Sequence, residues 1–138
     1  MKVVYYYDRK TRKIPFDYFL KNNIDNCLDL REKQKEKIKI ALIRKIDKIK
    51  EAKGKPDGGI AKPVKGYSFQ EILQAKDKDK LIRVLYCRYG GLMVLLDGFE
   101  KPRRYTGKQD KKKIDGYYNR AEEYYKRFKK NSNDYISL

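Results

Sequence analysis

The amino-acid sequence predicts an α+β domain with a mainly antiparallel sheet of about four strands, two N-terminal helices and a C-terminal helix. Three observations carry this expectation. Runs at 2–7, 62–72, 81–89 and 92–99 are rich in the β-branched and aromatic residues that suit strands. Gly90-Gly91 separates the last two apolar runs, a strong signal for a tight hairpin. Two longer stretches, 30–53 and 109–130, space their apolar residues by three and four, as an amphipathic helix does.

The elements follow in order. Val3, Val4 and Tyr5-Tyr6-Tyr7 make a first strand. Pro15 suits the first turn of a short helix whose face is Phe16, Phe19 and Leu20, with Asn22-Asn23 and Asp25-Asn26 breaking it. In the long helix, Ile38, Leu42, Ile46 and Ile49 form the stripe, widened by Ala41 and Ile43. Gly54 offers its stop and Pro56 follows. A second strand starts at Lys62-Pro63-Val64. After the polar turn 76–80, two strands flank Gly90-Gly91 to complete a meander. Thr106 and Gln109 have capping-box spacing, and Ile114, Tyr117, Ala121, Tyr125 and Phe128 share one face of the last helix. Residues 131–138 read as a flexible tail after a single domain at 1–130.

With 138 residues the chain can bury a core without staples. Its formal net charge of +17 points to a polyanionic partner, nucleic acid or acidic protein, although codon bias also raises lysine. There is no histidine, which removes the usual general base of nucleases and hydrolases. Cys27 and Cys87 form no C-x-x-C pair, so a zinc site is not expected, and Cys87 reads as an inert core thiol in a reducing cytosol. No apolar run is long enough for a membrane span, and the start of the chain lacks the pattern of a secretory signal. A cytoplasmic protein is expected.

Arg83 stands alone inside the most apolar strand. A guanidinium is costly to bury, so it is expected near a sheet edge or on a face left partly uncovered. In alternating strands, Lys65, Tyr67, Phe69 and Glu71 share one side, as do Arg83, Leu85, Cys87 and Tyr89. Lys101, Arg103, Arg104 and Tyr105 cluster before the last helix. These ends can converge on one cationic groove lined by rings, in which cations hold phosphates and rings stack on bases. RNA can be cut there without metal: the 2′-OH attacks the adjacent phosphate, Lys and Arg stabilise the charge that develops, and a Lys, Tyr or Glu of shifted pKa moves protons. The candidate catalytic residues are Lys65, Glu71, Arg83, Lys101 and Tyr105. The candidate RNA-binding residues are Lys62, Tyr67, Arg103, Arg104 and Lys108.

Three segments, 62–72, Arg83-Val84-Leu85-Tyr86 and 95–101, together with the order of elements, resemble the HigB/RelE family of type II toxins, in particular its phage Gp49-like branch. The resemblance covers residues 3 to 128. It implies a RelE-like fold and a ribosome-dependent mRNA endoribonuclease that inhibits translation and arrests growth. It also implies no cofactor and a cognate antitoxin, expected to be a helix-turn-helix protein. By position, Lys65, Arg83 and Lys101 match the family's basic residues and Glu71 its acidic one. Leu73 stands where the family has an Arg, and Pro102 where a second basic residue is common. Either Arg103 or Arg104 compensates, or the chain is a weak or inactive homologue. The rival reading is a non-catalytic basic module that binds RNA or an acidic antitoxin without cutting.

Residues 101–130 hold twelve Lys or Arg against four acids. RNA affinity should therefore fall steeply with salt, each neutralised phosphate contributing about −0.7 to the log–log slope for a single strand. Replacing Arg103 and Arg104 together with Ala should flatten the slope measured with a short single-stranded RNA. Equal slopes would put both arginines outside the RNA path.

Overall fold

The apolar runs pair into one sheet, and helices cover both of its faces. The computed structural model describes residues 1–56, 58–75, 80–102 and 107–137. Its strands are β1 (Lys2–Tyr6), β2 (Ala61–Pro63), β3 (Gln70–Ala75), β4 (Lys80–Tyr89), β5 (Leu92–Pro102) and β6 (Tyr135–Ser137). Its helices are α1 (Pro15–Leu20), continued by a π-helical stretch Lys21–Asp25, then α2 (Glu32–Glu51) and α3 (Gly107–Lys130). The fold is α+β. The sheet has six strands rather than about four, in the order β2-β3-β4-β5-β1-β6. It is mixed, because β1 runs parallel to β5 while the other pairs are antiparallel.

Alternation along β4 divides the core in two. Ile82, Val84 and Tyr86 pack with Phe16 and Phe19 of α1 and with Ile38, Leu42, Ile46 and Ile49 of α2. Leu85 and Cys87 face the opposite way, onto Ile114, Ala121 and Phe128 of α3. The stripe expected in α2 is thus buried, but Ile43 is 57% exposed and does not widen it. The reason is angular: Ile43 follows Leu42 by about 100°, which carries it off the contact line. Gly54 ends the helix with φ of 76°, its amide donating to the Ile49 carbonyl. Tyr86 Oη donates to the Gly54 carbonyl at 3.0 Å, tying that stop to the central strand.

Three expectations need correction. The second strand is two strands, because the chain turns between Pro63 and Gln70 and Ala61–Pro63 pairs back on Gln70–Ile72. Gly66, with φ of 85°, allows that turn. The Asn-rich segment after α1 does not break the helix at once but widens it into a π turn that ends at Asn26. Residues 135–137 are not a loose tail but strand β6 beside β1. The tail is also clamped by charge: Arg9 Nε donates to Asp134 Oδ1 at 2.7 Å. The capping residue expected at Thr106 lies outside the described residues.

A bulge in β5 positions everything that follows. Tyr86 pairs with Leu95 but Leu85 pairs with Asp97, so Leu96 is an extra residue in β5. The shift turns Asp97, Phe99 and Lys101 toward α3, opposite Leu85, Arg83 and Leu81. It turns Gly98 toward α1, where a Cβ would lie 2.5 Å from Cδ2 and 2.9 Å from Cγ of Phe19. Phe19 is itself buried, so its ring has little room to yield. Gly98→Ala should therefore destabilise the fold by about 1–3 kcal/mol, the usual cost of overpacking. Urea unfolding of both proteins would measure it, and an unchanged midpoint would mean that α1 sits less tightly on β5 than described.

Candidate functional site

At the end of the sheet next to the start of α3, polar side chains gather on the α3 face. Glu71 of β3 and Arg83 of β4 are diagonal neighbours there and form an ion pair, Arg83 Nε to Glu71 Oε1 at 3.1 Å. Arg83 Nη1 also donates to the Ile82 carbonyl at 3.2 Å. The Tyr118 hydroxyl of α3 comes down on the same carboxylate, 3.1 Å from Oε2 and 3.2 Å from Oε1. Burial first, then the Glu71 charge, holds the Tyr118 phenol well above its ordinary pKa, so it stays a donor. Glu71 is 2% exposed and Arg83 9%. Arg83 therefore does not emerge at an edge or on an uncovered face: β4 is flanked by β3 and β5, and α3 lies above it. The fold tolerates the charge because Glu71 pairs with it.

Cations surround this pair. Lys101 on β5 has its pKa lowered by burial first, then by the charges of Arg83 and Lys62, against an opposing pull from Glu71. Lys62 on β2 stands directly opposite Glu71 in the β2–β3 register. Lys45 of α2 donates to the Leu73 carbonyl at 2.5 Å, and its pKa is lowered by burial and then by Arg83. The structure thus brings together Glu71, Arg83, Lys101 and Lys62, four of the ten expected residues.

The others are placed differently. Lys65 is exposed in the β2–β3 turn, and Lys108 is exposed in the first turn of α3. Tyr67 does not alternate with Glu71 along a strand, because it too lies in that turn. Its ring packs against Phe69 and Tyr118, each with centroids 5.4 Å apart, and its hydroxyl donates to Asn119 Oδ1 at 2.9 Å. That ring braces α3. Arg103, Arg104 and Tyr105 lie outside the described residues. Cys87 is buried, and its thiol is pushed up to about 12 by that burial, as suits an inert core residue. No family model, curated protein or solved structure matches the chain. Among the described residues no helix is long and apolar enough to cross a membrane, and no three Cys, Asp or Glu side chains group to hold a metal ion.

Two further buried carboxylates face α3. Asp97 Oδ2 accepts from Arg120 Nε and Nη2, both at 2.7 Å, and Oδ1 accepts from the Gly98 amide at 2.8 Å. Asp97 is 2% exposed, and burial raises its pKa despite Arg120. Asp8 accepts from Tyr6, Thr11 and Arg127. Neither carboxylate was singled out from the sequence, nor was Tyr118. For Asp97 the sequence does carry a signal: it is the one acid in the apolar run 92–99, as odd there as Arg83 is in its own strand. Tyr118 carried no such mark, being one of many tyrosines on a helix whose rotation only packing reveals.

The buried pair sets a condition on mutagenesis. Arg83→Ala leaves the Glu71 carboxylate without its cation in the interior. Breaking such a pair typically costs about 3–5 kcal/mol, whereas replacing both partners with apolar residues is often neutral. Urea unfolding should show Arg83→Met and Glu71→Leu each strongly destabilised and the double variant close to the parent. Additive losses would mean that the two side chains do not interact.

Proposed function

We propose that the end of the sheet beside α3 binds and cleaves mRNA, and that the chain is a toxin-type endoribonuclease of HigB/RelE kind. One observation carries this reading: three cations of three strands, Lys62, Arg83 and Lys101, stand around Glu71 on one face of the sheet. In a chain of net charge +17, such convergence makes a local site for a phosphate diester. The order of strand, two helices, meander and C-terminal helix, with β1 beside the last meander strand, also supports a RelE-like architecture, extended here by the short edge strands β2 and β6.

The chemistry follows from the positions. Lys101, with its lowered pKa, holds a larger fraction of neutral amine than an ordinary lysine at the same pH. That amine takes the proton from the 2′-OH as the oxygen attacks phosphorus. Lys62 stabilises the charge on the phosphorane oxygens directly, and Arg83, buried beside Glu71, adds its positive field from beneath. Glu71 and Tyr118 hold the Arg83 guanidinium in place. The 5′-oxygen leaves, takes a proton from water and ends one product, and the other ends in a 2′,3′-cyclic phosphate. Lys65 and Lys108, both exposed, extend the phosphate path. The partners of this reading are mRNA on the ribosome, in the cytoplasm, and an acidic helix-turn-helix antitoxin that covers the site.

The burial of Arg83 against Glu71 favours the rival reading, in which the pair is structural and the cations only bind. Lys101 separates the two. Induction of the chain should arrest growth, with mRNA cut to 2′,3′-cyclic ends, and Lys101→Ala should lower cleavage by about 100- to 1,000-fold. If the amine is the base, the rate should rise with pH below the ordinary lysine range. Lys101→Arg, which keeps the charge but cannot deprotonate, should lose that rise. Binding of RNA without any cleavage, with ribosomes present, would establish the non-catalytic module instead.

A further inference from the structure

On the far side of α3 from Lys62 and Glu71, a cavity of about 400 Å³ lies between α1, β5 and α3. Its size falls in the range of small-molecule pockets. Tyr18 stands on its α1 wall and Tyr117 and Tyr124 on its α3 wall. Each wall also carries a cation seated on a ring: Lys13 lies 4.5 Å from the Tyr18 centroid and Arg120 lies 5.3 Å from that of Tyr117. Among the described residues Lys13 has no carboxylate partner, and Arg120 Nη1 has no acceptor. The buried Asp97 lines the cavity as well. Its Oδ2 already takes two bonds from Arg120, but Oδ1 takes only one, from the Gly98 amide, and a carboxylate oxygen can accept a second.

These groups divide into three chemical jobs. Tyr117 is already covered by Phe99 and Arg120, but the exposed Tyr18 ring offers the face away from Lys13 to a planar heteroaromatic ring. Lysine and guanidinium N–H groups suit a phosphate. A carboxylate oxygen with a spare lone pair accepts an N–H from the ring's edge. We propose that this cavity binds a nucleotide whose base carries an exocyclic amino group, with the base on the open face of Tyr18, the amino group on Asp97 Oδ1 and the phosphate between Lys13 and Arg120. A free mononucleotide and a nucleotide of an RNA strand share this chemistry. The inference does not depend on cleavage at Lys101, since α3 separates the two sites.

The test is calorimetric titration of the full chain with 5′-CMP, 5′-UMP, inorganic phosphate and a six-nucleotide single-stranded RNA. CMP and UMP differ little in shape, but only cytosine presents an amino group where uracil presents a carbonyl. CMP should bind at least about tenfold more tightly than UMP, a difference of about 1.4 kcal/mol. Tyr18→Ala and Lys13→Met should each weaken CMP by a similar factor. Both change side chains at the rim of the cavity that lie outside the buried core, and thermal unfolding followed by circular dichroism should be unchanged for both. If only the RNA binds, and the same two variants weaken it, the occupant is a nucleotide of the strand. Equal affinity for CMP and UMP, binding of phosphate as tight as CMP, indifference to both variants, or no binding of either nucleotide or RNA would each overturn the proposal.

Discussion

The extra residue at Leu96 is the constraint on which the α3 side of the molecule depends. A strand alternates faces, so one inserted residue reverses every later side chain. Before the bulge, Met93 and Leu95 point to the α1–α2 core and Val94 points to α3. After it, Asp97, Phe99 and Lys101 point to α3, and Gly98 meets Phe19. Without the bulge Asp97 would face the apolar core of α1 and α2, where nothing neutralises it. Phe99 would be lost from the stack it makes on Tyr117, with centroids 4.7 Å apart. Both the cation cluster and the cavity across α3 are consequences of that single register shift.

Among the described residues, the chain of net charge +17 directs three acids inward under α3. Glu71, Asp97 and Asp8 lie in or beside the sheet, facing α3, and each has its own arginine: Arg83, Arg120 and Arg127. Removing carboxylates from the surface leaves the surplus of lysine and arginine on display, which strengthens the field a polyanion meets. It also gives α3 a specific seat. A helix with only an apolar stripe can rotate or slide at little cost, whereas Tyr118, Arg120 and Arg127 must each reach a particular carboxylate. Placing arginine against acid costs desolvation, so the gain lies less in net stability than in fixing one rotation of the helix. That rotation sends Tyr118 toward Glu71 and Tyr117 toward the cavity, so α3 separates a cation-rich site from an aromatic one.

Much of the scaffold was readable along the chain. The α2 stripe, the Gly90-Gly91 hairpin, the Gly54 stop and the helical face of Ile114, Ala121 and Phe128 all rest on contacts within a few residues, where local periodicity is a faithful guide. The misreadings cluster where pairing is long-range. Residues 62–72 read as one strand because composition does not reveal a turn whose two arms pair with each other. Residues 135–137 read as a tail because β6 is only three residues long and its partner, β1, is at the other end of the chain.

The candidate site divides in the same way. That Arg83 is unusual, that Glu71 and Lys101 belong with it, and that the chain favours anionic partners could be inferred from residue type, spacing and charge, which are properties of the chain itself. That Arg83 is buried and paired rather than exposed depended on β4 being central and covered, which is a property of six strands and three helices assembled together. Asp97 is the sharper case. Its identity and its apolar surroundings are written in the sequence, yet the face it occupies is not, because a side chain's direction follows from strand register. Register is chosen by the packing of Phe19, Leu85 and α3 against β5, contacts between segments far apart in the chain.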